Sequence, residues 1–135
     1  MSVCQSCWLP FHQGHQLISL IYNKSNKLSF QDSVRAALKE VVGAYGIVVI
    51  CSDFPEMVIS ARMGSPLVLG LGDEEYFIAS DASPIVEHTR NVIYLDDGEI
   101  CVLTKDSVEY FDSSKNNTVL MLTIKQLSLI HIWRC

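Results

Sequence analysis

Residue types able to do chemistry occur at a few places in this chain. Cys4 and Cys7, with His12 and His15 close behind, put four zinc-type donors near one end. Tetrahedral zinc takes such donors, but a finger needs a longer loop between the two pairs and histidines spaced three to five apart. Scattered residues of an irregular stretch are the simpler reading. Ser2 or Cys4 would act as an N-terminal nucleophile, with its own α-amine as base, only at the first position of a buried strand. The surrounding "SVCQSCWLP" does not read as one.

Gly64-Ser65-Pro66 and Gly70-Leu71-Gly72 resemble a phosphate-cradling loop at first sight. They lack the Gly-Lys-Ser/Thr ending of a P-loop and no helix start follows them, so corners of a sheet are favoured. His88, beside Thr89 and Arg90, suggests acid–base work, yet a lone histidine at a helix end more often caps it or is solvated. Asp73-Glu74-Glu75 and Asp96-Asp97 fall in expected turns, where solvated carboxylates are the default. No complete catalytic set assembles from these residues. Accordingly no catalytic, substrate-binding or metal-binding residue is assigned, and no cofactor is expected.

The elements that would position such residues follow from composition and pattern. With 135 residues, 49% hydrophobic and 19% charged, the chain has the profile of one folded domain. A net charge of −5 and a pI near 5.2 leave no basic face for nucleic acid or an anionic membrane. No apolar run is long enough to span a bilayer, and no basic-then-apolar leader opens the chain, so a cytoplasmic location is expected. Five cysteines without scaffold spacing read as reduced thiols, with Cys51 and Cys101 in the core.

Residues 1 to 16 show no periodicity. Leu17 to Ile21 suggest a helix end. Ser29 heads a capping-box variant with Asp32, and Val34, Leu38, Val41 and Val42 keep helical spacing up to Gly43. Strands are expected at 44–51, 57–63, 66–71, 76–80, 107–111 and 117–124, with a turn at 53–56. The close spacing of the strands between 57 and 80 implies that consecutive ones pair antiparallel. Ser80 or Ser83 with Pro84 predicts a short helix to His88. "NVIYL" and "EICVLT", separated by Asp96-Asp97-Gly98, predict a hairpin. Helices followed by a strand meander give an α+β class.

Three long blocks, "SVRAALKEVVGAYGIVVICSD", "ARMGSPLVLGLGDEEYFIASD" and "EHTRNVIYLDDGEICVLTKD", resemble the C-terminal half of the glutaminase domain of the isomerizing glutamine:fructose-6-phosphate aminotransferase family. "FIASD" is also similar to the corresponding turn of other class II glutamine amidotransferases. The resemblance implies a partial N-terminal-nucleophile hydrolase fold, an αββα sandwich with antiparallel sheets between helical layers. It implies glutamine and fructose 6-phosphate as substrates of the whole enzyme, in which an N-terminal cysteine attacks the glutamine amide and ammonia passes to a sugar-isomerase region. The nucleophile, the glutamine-clamping arginine and the oxyanion-hole donors lie upstream of the matched blocks. An Asp-Thr-Glu motif should fall near the start of the match, where Gly14-His15-Gln16 stands instead, so no family site residue carries over.

Residues 17–126 are therefore expected to be a partial glutaminase domain that is inactive by itself. Residues 1–16 are expected to be irregular and foreign to the family, as is "LSLIHIWRC" at 127–135. The other readings are a fragment of a different class II amidotransferase, or a non-catalytic β-rich interaction module. A half-domain with uncovered sheet surface would be expected to self-associate.

Overall fold

A computed structural model describes residues 18, 21, 22, 28–73, 75–112, 118–123 and 129–132. The zinc-type donors Cys4, Cys7, His12 and His15, together with Ser2 and Glu74, lie outside the described residues. Helical conformation is present at Ile18, Ile21 and Tyr22. Helix α1 spans Phe30–Glu40. Ser29 caps it, its hydroxyl accepting from the Asp32 N–H and donating to the Asp32 carboxylate. Phe30, Val34, Ala37 and Leu38, spaced one turn apart, form the buried stripe. The helix stops before Gly43, earlier than its apolar spacing predicts. Val41 is already extended and Val42 is 98% exposed, while Gly43 turns the chain at φ +109°.

Among the described residues nine strands follow: β1 (Tyr45–Cys51), β2 (Phe54–Met63), β3 (Val68–Leu71), β4 (Glu75–Ala79), β5 (Val92–Tyr94), β6 (Glu99–Thr104), β7 (Ser107–Asp112), β8 (Thr118–Thr123) and β9 (Leu129–Ile132). They form a five-stranded sheet in the order β1-β2-β6-β7-β8 and a four-stranded sheet in the order β5-β3-β4-β9. All pairings between these strands are antiparallel except β4 with β9, which run parallel. Residues 129–132, within the segment expected to be foreign to the family, thus form the outer strand of the smaller sheet.

Period-two alternation sorts the side chains into layers. On one face of the larger sheet, Ile47, Val49, Ile59, Ala61, Ile100 and Val102 pack against Phe30, Val34, Ala37 and Leu38 of the helix. On the other face, Val58, Cys101, Leu103, Val108 and Tyr110 meet Leu67, Leu69, Tyr76, Ile78 and Leu95 from the smaller sheet. Beyond that sheet, Val68, Phe77 and Ala79 pack against Ile85 from the segment between β4 and β5. Each fully buried aliphatic or Phe side chain contributes about 1.5–3 kcal/mol by leaving water.

Several local expectations are corrected by this layering. The turn between β1 and β2 is Ser52-Asp53 rather than 53–56, because the strand begins at Phe54, whose ring stacks on Phe30 at 5.9 Å. β2 and β3 do not pair, since they lie in different sheets. Likewise the expected 91–104 hairpin is absent: β5 pairs with β3, and β6 pairs with β2 and β7. Residues 83–88 form hydrogen-bonded turns rather than a helix, and Asp81 caps them through the Ala82 N–H and the Ser83 hydroxyl in place of Ser80 or Ser83. Among the described residues no helix is long and apolar enough to cross a membrane.

Candidate functional site

The glycine-rich stretch at 64–72 serves three different purposes. Gly64 stands at the crossover from β2 to the smaller sheet with φ +69°, a conformation that side-chain-bearing residues rarely adopt. Gly70 is not a bend at all. It pairs with both Phe77 and Val92 inside β3, and a Cβ there would lie 2.4 Å from Cγ2 of the buried Ile85. Gly72 closes the β3–β4 turn, its N–H donating to the Glu75 carbonyl at 2.9 Å. None of these amides fronts a helix, so the stretch is not a phosphate cradle.

The β2–β3 and β5–β6 crossovers between the sheets converge on one carboxylate. Asp97 Oδ1 accepts from the Gly64 N–H at 2.8 Å and from Arg62 Nη2 and Nε at 2.7 and 3.2 Å. Arg62 Nη1 reaches the Leu95 carbonyl at 2.8 Å, and the Arg62 carbonyl accepts from the Gly98 N–H at 2.9 Å. The Gly64 amide, and after it the Arg62 guanidinium, hold the Asp97 carboxyl below its usual range. Asp97 was expected to be a solvated turn residue and is instead the acceptor that ties residues 62–64 to 95–98. Its geometry is that of a latch, since its acceptor oxygen is committed to backbone and guanidinium donors. The sequence signal was present in Asp97-Gly98, but its partner Arg62 lies 35 positions away.

His88 packs on the smaller sheet. Its ring stacks on Phe77 with centroids 5.0 Å apart and planes 16° from parallel, covering the outer face of the smaller sheet. Thr89 donates through Oγ1 to the Leu71 carbonyl at 2.6 Å and accepts from the Asn91 N–H, bracing the entry to β5. Asp73 is exposed, as expected of a turn residue. An open groove of about 410 Å³ runs between the β1–β2 and β6–β7 turns, lined by residues 53–57 and 104–106, and contains no His, Cys or Ser.

The second polar cluster is buried and was not foreseen. Ser60, Cys101 and Tyr110 stand opposite one another on β2, β6 and β7, on the face turned to the smaller sheet. All three are at most 6% exposed, and Tyr76 of β4 is fully buried in the same core. Desolvation raises the Cys101 thiol to about 12, with the neighbouring Ser60 and Tyr110 hydroxyls pulling the other way, so this sulfur is not a thiolate nucleophile at neutral pH. Burial likewise pushes the Tyr76 phenol up to about 12 and raises Tyr110 further. Cys51 is a buried free thiol as well. Among the described residues no group of three or more His, Cys, Asp or Glu is placed to hold a metal ion.

The described residues thus form a two-sheet scaffold with a latch between its β2–β3 and β5–β6 crossovers. Comparison with profiles of known protein families gives no match. Curated relatives are informative. The glutamine–fructose-6-phosphate aminotransferase [isomerizing] of Chlorobaculum tepidum is 47% identical over 116 residues, covering 82% of this chain and 19% of that protein. Its counterparts in Bacteroides thetaiotaomicron and Clostridium perfringens are 50% and 51% identical over 91 and 85 residues, covering 66% and 63% of this chain. The chain spans only 19%, 15% and 14% of the length of these three relatives. Among solved structures, the allosteric regulatory enzyme of purine biosynthesis matches with a TM-score of 0.60 at 19% identity, over 76% of this chain and 22% of that one. At such identity this last likeness speaks for the fold alone, a two-sheet sandwich of the N-terminal-nucleophile type. The chain belongs to the glutamine–fructose-6-phosphate aminotransferase family, and corresponds to part of its class II glutaminase domain.

Proposed function

We propose that this chain supplies sheet scaffold to the glutamine-hydrolysing domain of an enzyme that passes the amide nitrogen of glutamine to fructose 6-phosphate, giving glucosamine 6-phosphate in the cytoplasm. The observation that carries this reading is the 47% identity to such an aminotransferase across 82% of the chain. Residues 17–126 are the part that belongs to the domain, and residues 1–16 and 127–135 are additions to it. Within the domain, the chain's contribution is positional. The latch at Asp97 fixes how the two sheets are joined, and nucleophile, glutamine clamp and oxyanion donors come from elsewhere in the enzyme. No residue of this chain is assigned a catalytic, substrate-binding or metal-binding role.

Two measurements test this. In the first, the purified chain is mixed with glutamine, and no glutamate should form above the blank; release at an enzymatic rate overturns the scaffold reading. In the second, residues 17–126 replace the matching stretch of the Chlorobaculum tepidum relative. The chimera should keep glutaminase and aminotransferase activity, and a folded chimera lacking both would show that this sequence serves another function. The chain alone should also self-associate through its sheet edges, which size-exclusion chromatography reads directly; a monomer at all concentrations would count against that.

A further inference from the structure

Three hydroxyls and a thiol converge where the two sheets face each other. Ser60 opposes Cys101, and Cys101 opposes Tyr110, so the three side chains leave adjacent strands on the same side, toward the smaller sheet. Tyr76 approaches from that smaller sheet into the same core. Ser60 Oγ, Tyr76 OH and Tyr110 OH are each sealed from bulk solvent, and among the described residues none has a partner at full hydrogen-bond geometry, the weak Cys101 thiol being the group nearest to Ser60 and Tyr110. Three such groups at one place is far from usual, because folded interiors pair nearly all their buried polar atoms, with ordered water where protein partners are lacking. The opposite face of the same sheet, packed on the helix, is mostly apolar and among the described residues shows no such atoms.

We infer that Ser60, Tyr76, Tyr110 and Cys101 form an internal hydration site, in which buried water is held between the sheets by the three hydroxyls with the thiol as a weak fourth partner. The chemistry of the cluster selects a small neutral ligand. It contains no carboxylate and no cation, which disfavours an ion of either sign. Burial also keeps its thiol and phenols protonated at neutral pH, leaving no thiolate to ligate a metal. A hydroxyl both donates and accepts, so three of them around one locus supply the two to four bonds that an interior water requires. The site stands on strand register and burial alone, and does not depend on the glutamine reading above.

Water-to-protein magnetisation transfer, measured by NMR on the full chain, tests the inference directly. Long-lived water cross-peaks are expected at the amides or hydroxyls of residues 60, 101 and 110, and they should vanish in Tyr110→Phe. Removing a hydroxyl that holds water should also lower Tm, by about 2–6 °C for each of Ser60→Ala, Tyr76→Phe and Tyr110→Phe. Absence of the cross-peaks in the unmutated chain overturns the inference, as does a rise in Tm for both Ser60→Ala and Tyr110→Phe, the response of hydroxyls buried without any partner. If a variant does not fold, the measurement on the unmutated chain decides.

Discussion

Two kinds of connection join the strands, and they are held in different ways. The hairpin turns at Ser52-Asp53 and Lys105-Asp106 return the chain within the five-stranded sheet, where strand pairing on either side fixes them. The second of these needs only its own neighbours, Thr104 Oγ1 accepting from the Ser107 N–H at 3.1 Å. The connections at 64–67 and 95–98 instead carry the chain from one sheet to the other, so no ladder spans them. They are tied to each other by Arg62, Asp97 and the Gly64 and Gly98 amides. A turn's residues decide how the chain bends. Which strand it then joins is decided by the layer that its apolar side chains must fill, and by any latch that holds the bend in place.

The two crossovers bound the run from β3 to β5, and the largest effect is expected within it, in β3. Gly70→Ala places a Cβ 2.4 Å from Ile85 Cγ2 and 3.1 Å from both Phe77 Cβ and Thr89 Cγ2, forcing the outer layer away from the sheet. A loss of about 3 kcal/mol in unfolding free energy is expected from urea titration, as for overpacked cores. Stability within about 0.5 kcal/mol of the unmutated chain would show that the layer yields. Next in size, Arg62→Ala removes the donors to Asp97 and leaves the carbonyl of the buried Leu95 without that bond. Here a loss of about 1–2 kcal/mol is expected, discounted because Asp97 is half-exposed. The matching hairpin change, Asp53→Ala, removes only an exposed bond from the Tyr22 hydroxyl and should cost no more than about 0.5 kcal/mol. Equal losses for the two would erase the distinction between crossovers and hairpins.

The same distinction explains what could be read from the sequence. Strands at 45–51, 99–104 and 107–112 and the Ser29 cap were legible, because alternation and capping are local patterns. The 91–104 hairpin was misread for a physical reason. Asp96-Asp97-Gly98 is turn chemistry in either topology, and Gly98 does turn the chain, at φ +85°. What sends β5 and β6 into different sheets is the pairing of Val92–Tyr94 with Val68–Gly70 and of Glu99–Thr104 with strands on both sides, contacts far apart in sequence. Gly70 looked like a corner for the same reason, since its need for space arises from Ile85, which only the fold brings near. Cys101 was legible as a core thiol, but the hydroxyls around it were not, because the register that aligns Ser60, Cys101 and Tyr110 is long-range.

The smallest effect separates the latch from a merely adjacent charge by its sign. The Gly64 N–H and the Arg62 guanidinium favour the ionised form of Asp97, so its carboxyl titrates lower in the folded chain than in the unfolded one. A group with a lowered folded pKa adds stability that is complete above its unfolded value, about pH 4, and fades as pH falls through the folded value. Comparing the unmutated chain with Asp97→Asn by thermal unfolding between pH 7 and pH 2.5 should therefore show a gap that is constant near neutrality and closes below about pH 4. Because the carboxylate is half-exposed, added salt should narrow the gap at neutral pH through the Arg62 contribution. The part due to the Gly64 amide, a neutral donor 2.8 Å away, should persist. A gap that stays open in acid would mean that the substituted amide fails for steric reasons, with the charge of Asp97 contributing nothing. A gap abolished by salt would assign the whole effect to the ion pair, and would leave the Gly64 amide without a measurable share in it.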